Sequence, residues 1–185
     1  VLNADETPHR MLEGDKKSNW YFWGFSNDKA AYFEAQDTRS GDIASKILQK
    51  SKCEYLMSDV FSGYARAVRL ANEIREEKKE KLIQNIYCNA HARRKFKEAQ
   101  KKFEDEAKLF IFCYKRIYRL ESHKKESDFK LSFDQIRKWQ MFYFKILEKY
   151  SIKIRNGYST KSSIGKAISY FLKNYEELTL FLKHR

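Results

Sequence analysis

Two aspartates carry the first suggestion of chemistry. Asp5 lies in the extended-looking start Val1-Leu2-Asn3-Ala4-Asp5-Glu6-Thr7, and Asp59 closes the short apolar run Glu54-Tyr55-Leu56-Met57-Ser58, 54 residues further on. If those runs are neighbouring strands of one sheet, the two carboxylates converge at its edge. Converging carboxylates suit a hard cation such as Mg2+, which wants oxygen ligands and keeps positions open for substrate. Two such ions can activate an attacking oxygen and stabilise the leaving oxygen of a phosphodiester. An Asp at a strand end is also an ordinary turn former or helix cap, and spacing alone leaves both readings standing.

A second group is Cys88-Asn89-Ala90-His91-Ala92-Arg93-Arg94-Lys95-Phe96. Cys88 and His91 form a Cys-x-x-His pair, but a structural zinc site wants four ligands, and Cys53, Cys113, His9, His123 and His184 offer no matching spacing. Cys88 therefore reads as a small buried residue ending a strand. His91 and Arg94 read as groups that face the active edge and contact a phosphate or orient a carboxylate; the plainer alternative is that both simply start a helix. Arg93, Arg94, Lys95, Lys97, Lys101 and Lys102 gather on the first turns of that helix, with Phe96 and Phe103 opposite. Such a face can lie on a DNA backbone without reading sequence. The run Arg75-Glu76-Glu77-Lys78-Lys79-Glu80-Lys81 mixes both signs and reads as a solvated helix surface. Trp20, Trp23 and Trp139 can each stack on a base, but tryptophan on an apolar face is more often core, and core is expected for all three.

The elements that must position these residues differ between the two halves. Residues 1–7 read as a strand with Pro8 at its end. The aromatic runs 19–26 and 30–36, separated by a polar turn, read as a hairpin. Ser40 caps a helix striped by Ile43, Ala44, Ile47 and Leu48. Strands at 54–59 and 82–88 follow, around a helix over roughly 63–80. That order predicts a mixed sheet with helices packed on it. From His91 onward the period is helical. Phe96, Ala99, Phe103, Ala107, Phe110, Tyr114 and Ile117 draw one stripe along a helix of about thirty residues. Ser132 with Gln135 makes a capping box for a second helix, striped by Ile136, Trp139, Tyr143, Ile146 and Tyr150. A third carries Ile164, Ala167, Phe171, Tyr175, Leu178 and Leu182.

Composition narrows the class. The 185 residues are 42% hydrophobic and include 14 Phe, 12 Tyr and 3 Trp, which excludes a disordered chain. One Pro and six Gly disfavour an all-β sandwich built on many tight turns. The 38 Lys and Arg against 25 Asp and Glu give +13, which favours a polyanionic partner, nucleic acid first. Three scattered cysteines do not suit a secreted disulfide framework. With no span-length apolar stretch and no signal peptide, the chain is expected to be cytosolic and to be a piece of something longer.

Three blocks in order, Asn3-Ala4-Asp5-Glu6-Thr7-Pro8, Ser58-Asp59-Val60-Phe61-Ser62-Gly63-Tyr64 and Cys88-Asn89-Ala90-His91-Ala92-Arg93-Arg94-Lys95-Phe96, resemble the transposases of the insertion sequence sixty-six family. That family has an Ala-Asp-Glu-Thr-Pro segment, an acid followed by a Gly-Tyr pair, and Cys-x-x-His-Ala-Arg-Arg-Lys-Phe. The resemblance implies an α/β, ribonuclease-H-like mixed sheet flanked by helices over residues 1–95. Residues 96–185 would be a helical insertion and the start of the return to the core. It implies metal-dependent DNA strand cleavage and strand transfer by an Asp, Asp, Glu triad holding two Mg2+ or Mn2+ ions. Asp5 and Asp59 would be the first two acids, and His91, Arg93, Arg94, Lys95 and Lys97 would contact DNA. The partners would be transposon ends and target DNA, met by a homo-oligomer in the bacterial cytoplasm at the nucleoid. The third acid belongs to an Asn-Asn-x-x-Glu-Arg-like helix expected just beyond Arg185, so this chain alone is expected to be inactive. Asn3 stands where the family often has His, and Val60-Phe61 replaces a common Gly-Tyr; neither removes a metal ligand. The rival readings are a non-enzymatic nucleic-acid-binding module, a degenerate remnant of such an element, and a ribonuclease-H-like nuclease of another lineage, which should lack the long helical insertion.

Overall fold

The computed structural model describes residues 1–11, 19–123 and 131–183; His184 lies outside them. The chain divides into two compact units, Val1–Cys88 and Asn89–Arg185.

In the first unit, β1 (Leu2–Arg10), β2 (Asn19–Ser26), β3 (Ala31–Gln36), β4 (Tyr55–Ser58) and β5 (Gln84–Tyr87) form one sheet in the order β3-β2-β1-β4-β5. The β1–β2 and β2–β3 pairings are antiparallel, and β1–β4 and β4–β5 are parallel. This is the expected ribonuclease-H-like mixed sheet flanked by helices. The β2–β3 turn is closed by Asn27, whose Oδ1 accepts the amides of Lys29 at 2.8 Å and Ala30 at 2.9 Å, the local bonding that makes Asn a turn residue. Helix α1 (Gly41–Lys50) starts at Ser40, whose side chain accepts from the Asp42 amide. Helix α2 (Ser62–Glu77) follows β4. The core gathers Ala4, Trp23, Phe25 and Leu56 from the strands with Ile43, Leu48, Tyr64 and Val68 from the helices. Burying that apolar surface is the main favourable contribution to the fold.

Three expectations fail here for local reasons. Pro8 does not end β1, which continues to Arg10 with Pro8 opposite Tyr21. Only Leu2 and Asn3 pair with β4; beyond them β1 has no strand on that side among the described residues, and a missing N–H is tolerated on such an edge. Arg75 is not part of a solvated surface: it is buried, and donates to the carbonyls of Cys53 at 2.9 Å and Lys81 at 2.8 Å. It ties the segment after α1 to the segment before β5. Cys88 is half-buried rather than buried, just past the end of β5.

The second unit is helical: α3 (Asn89–Gln100), α4 (Glu104–His123), α5 (Phe133–Ile154), α6 (Ser163–Lys173) and α7 (Tyr175–Thr179), with short tight turns of helix at Arg155–Gly157 and Leu180–Lys183. The expected thirty-residue helix is two helices. The chain turns at Lys101-Lys102-Phe103, where Lys102 and Phe103 both donate to the Ala99 carbonyl. Glu104, Asp105 and Glu106 then fill the first turn of α4, where the helix dipole favours acids. The stripe survives by folding back on itself: the rings of Phe96 and Phe110 stack with centroids 3.8 Å apart, and Phe171 meets both edge-on.

The expected third helix also breaks, at Asn174, which caps the end of α6 and the start of α7 and bonds the Tyr170 carbonyl through its side chain at 2.6 Å. The capping box of Ser132 and Gln135 forms as expected. The buried face of α5 is a different one, running through Ile136, Gln140, Phe144, Leu147 and Ser151. Counting apolar residues passes over it because Gln140 lies at its centre. The Gln140 amide is satisfied by the Ile117 carbonyl at 3.3 Å, by Glu121 at 2.9 Å and by Arg137 at 2.8 Å, so its burial carries no unpaired polar group. Trp139 is consequently turned outward and 48% exposed, against the expectation of core, whereas Trp23 is fully buried.

Candidate functional site

Asp5 lies in the middle of β1, and Asp59 follows directly on β4. The β1–β4 ladder pairs Leu2 with Leu56 and Asn3 with Met57 and ends there; continued by two residues, that register sets Asp5 opposite Asp59, which lies just past the last residue of β4. Strand alternation, carried one residue past β4, gives them the same face. Ala4 and Glu6 on β1, and Leu56 and Ser58 on β4, are buried or turned towards α2, while Asp5 is exposed and Asp59 half-exposed on the alternate positions. Each carboxylate accepts one backbone amide on Oδ1: Asp5 from Glu6 at 3.0 Å, Asp59 from Phe61 at 3.0 Å. The second bond is the turn-forming contact that the plainer reading of Asp59 calls for, and it also fixes the carboxylate at the head of α2. Among the described residues no group of three or more His, Cys, Asp or Glu side chains is placed to hold a metal ion.

On the opposite face of β1 lies a feature the sequence reading did not anticipate. The Glu6 side chain is 1% exposed. It takes a hydrogen bond from the Tyr64 hydroxyl at 2.6 Å, and the Arg39 Nε at 2.7 Å and terminal nitrogen bind its other oxygen. The Arg39 guanidinium also lies 4.0 Å from the centre of the Phe61 ring, two residues past Asp59. Burial works against the charge on Arg39, but the hydrogen bond and charge of Glu6, helped by Asp59, leave its pKa raised. Burial, then the bond to Glu6, and the charges of Glu6, Asp5 and Asp59 hold the Tyr64 hydroxyl in its neutral form well past the usual tyrosine range. Glu6, Arg39 and Tyr64 thus form a bonded cluster on the face of β1 opposite Asp5, and the charge of Asp59 is felt by both Arg39 and Tyr64.

These contacts give the motif residues physical jobs. Tyr64 of the Gly-Tyr pair anchors Glu6. Gly63 is where α1 and α2 come closest: a Cβ placed on Gly41 would lie 2.2 Å from the Gly63 carbonyl oxygen. A signal for the cluster was present in alternation along β1. With Asp5 outward, Glu6 must point inward, and a buried carboxylate needs a cation. Arg39, in the loop before α1, could not be singled out as that cation from its own surroundings.

The five candidate DNA contacts all lie on α3. His91, Arg93, Arg94 and Lys97 line one shallow hollow with Ala90. His91 Nδ1 and Arg93 Nε are buried and have no hydrogen-bond partner among the described residues. Lys95 is turned elsewhere, its ammonium 4.6 Å from the centre of the Tyr170 ring. Charge is distributed unevenly between the units. Residues 1–88 carry 14 acids and 14 Lys or Arg, while residues 89–185 carry 11 and 24, so the whole +13 belongs to the helical unit.

The family model described as Transposase IS66 family matches residues 1–185. Comparison with curated proteins and with solved structures finds no match.

Proposed function

The chain belongs to the IS66 transposase family, and from that premise we propose that it carries the first two acids, Asp5 and Asp59, of an Asp-Asp-Glu centre for DNA strand cleavage and strand transfer. The reading rests on the parallel β1–β4 register, Leu2 with Leu56 and Asn3 with Met57, which continued by two residues sets Asp5 level with Asp59 just past the end of β4. Their donors fit Mg2+ or Mn2+. Both are hard carboxylate oxygens open to solvent, and Mg2+ is commonly held by one or two carboxylates, with water and substrate phosphate completing the shell. Two such ions, when bound, supply charge for activating the attacking oxygen and stabilising the leaving one.

The chain's own residues then divide the work. Asp5 and Asp59 would hold the ions, their carboxylates oriented by the amides of Glu6 and Phe61. Glu6, locked by Arg39 and Tyr64, fixes the strand from which Asp5 projects. His91, Arg93, Arg94 and Lys97 contact DNA phosphates from their shared hollow; Lys95 adds charge rather than a contact there. Water is the nucleophile in cutting and a DNA end in joining. The partners are the element's ends and the target, engaged by a homo-oligomer at the nucleoid in the bacterial cytoplasm. No described helix is long and apolar enough to cross a membrane.

No Glu of these 185 residues lies in an Asn-Asn-x-x-Glu-Arg setting, so the third acid is not among them and they should not cut DNA alone. The test is plasmid nicking in Mn2+. The 185-residue chain should give none, and a longer form carrying that Glu should nick in a manner abolished by Asp5→Asn or Asp59→Asn. Full nicking by either variant would overturn the assignment.

A further inference from the structure

We propose that the outward face of α5 is a second DNA-binding surface, one that takes unpaired bases; it rests on the transposase reading above. Past Asp134 in its first turn, the exposed positions of this helix are four lysines, three large apolar side chains and one glutamine, with Glu148 half-buried between Lys145 and Lys149. Lys138, Phe142, Lys145 and Lys149 recur at spacings of 4, 3 and 4, which puts them on one stripe, about 16 Å long at the helical rise. Trp139 is 48% and Phe142 50% exposed, and their rings meet edge-on with centroids 5.6 Å apart.

Each half of that description excludes a simpler role. A helix surface that only faces water needs the lysines but gains nothing from two adjoining half-exposed aromatic rings, and exposed apolar clusters of this kind mark contact sites. A purely apolar protein partner would suit the rings but not a row of lysines with a single half-buried acid, Glu148, among them, and the helical unit carries all of the chain's basic excess. A polyanion satisfies the lysines. Among polyanions, a duplex keeps its base faces stacked inside, whereas an unpaired strand offers phosphates for lysines and base faces for aromatic rings together. Transposition separates and rejoins strands at DNA ends, so unpaired nucleotides are available where such a surface would be used.

The experiment is binding of labelled oligo(dT) of about fifteen nucleotides, the upper range of single-strand site sizes, and of a blunt duplex of equal length, to the 185-residue chain. Trp139→Ala with Phe142→Ala should weaken oligo(dT) binding about tenfold or more, the scale of a lost base stack, and leave duplex binding within about twofold on the same scale. Trp139→Phe should retain most of the affinity, and circular dichroism should show all variants folded. Equal losses for both DNAs, no loss for either, or no oligo(dT) binding by the unaltered chain would overturn the proposal. So would sedimentation showing a dimer that the double variant splits without changing DNA binding, which would make the face a contact between copies. Mn2+ binding measured on the same proteins keeps the readings apart. Metal binding that depends on Asp5 and Asp59, with oligo(dT) binding indifferent to Trp139 and Phe142, sinks this proposal alone; the reverse pattern sinks the catalytic assignment alone.

Discussion

The sheet unit and the helical unit use aromatic side chains in contrasting ways. In the sheet unit the rings serve a polar centre. Trp23 packs edge-on against Tyr64 at 5.8 Å, Tyr64 donates to Glu6, and Phe61 lies beneath Arg39. In the helical unit Phe96, Phe110, Tyr114 and Phe171 pack on one another and are fully buried, while charge is sent to the surface. The sheet unit is neutral overall and the helical unit carries the whole basic excess, a division that fits the function proposed above, with acids for cations in one unit and basic charge for a polyanion in the other.

That contrast can be broken by substitution. Phe110→Ala removes a fully buried ring stacked on Phe96 and should cost about 3–5 kcal/mol in denaturant unfolding followed by helical circular dichroism. A loss under about 1 kcal/mol would mean that the stack does not hold the helical unit together. In the sheet unit the corresponding blow is polar. Glu6→Gln keeps the shape but removes charge-assisted bonds and should cost about 1.5–3 kcal/mol. Most of that belongs to the Tyr64 contact, because Arg39 is 45% exposed and its pairing is screened by water. Gly41→Ala places a methyl group against the Gly63 carbonyl and should cost about 1–3 kcal/mol by overpacking. If instead it stabilises the protein, the close approach of α1 and α2 is not as described.

Two smaller effects sharpen the comparison. Arg94→Gln or Lys97→Gln should each reduce the salt dependence of duplex binding by about one counterion, whereas Lys46→Gln, on α1 of the neutral unit, should leave the slope unchanged. Trp139→Ala should change stability by no more than about 0.5 kcal/mol, as expected for a side chain outside the core, against about 3–5 kcal/mol for Trp23→Ala.

Much of this was readable before any coordinates. The strands, the Ser40 cap and the Ser132–Gln135 box follow from local chemistry that acts within a few residues; both caps form where expected, and the strands differ from expectation at their ends, β1 running on past Pro8 to Arg10. What misled was periodicity taken alone. The stripe from Phe96 to Ile117 has helical spacing throughout, but periodicity is blind to a turn that preserves phase, and the acids at 104–106 were the better guide to a new helix start. On α5, hydrophobic counting chose a face through Trp139 because it gave no weight to Gln140, a polar residue whose partners lie on α4. The Glu6–Arg39–Tyr64 cluster joins positions 33 and 58 residues apart, and only the packing of α2 and the loop before α1 onto the sheet brings them together.

The most direct test of the central claim is anomalous diffraction from crystals soaked in Mn2+. A peak at about 2.1 Å from oxygens of both Asp5 and Asp59, absent in Asp59→Asn crystals, is the predicted result. Mn2+ bound elsewhere, or Asp5 and Asp59 both unliganded while the soaked metal occupies other acids, would contradict the account.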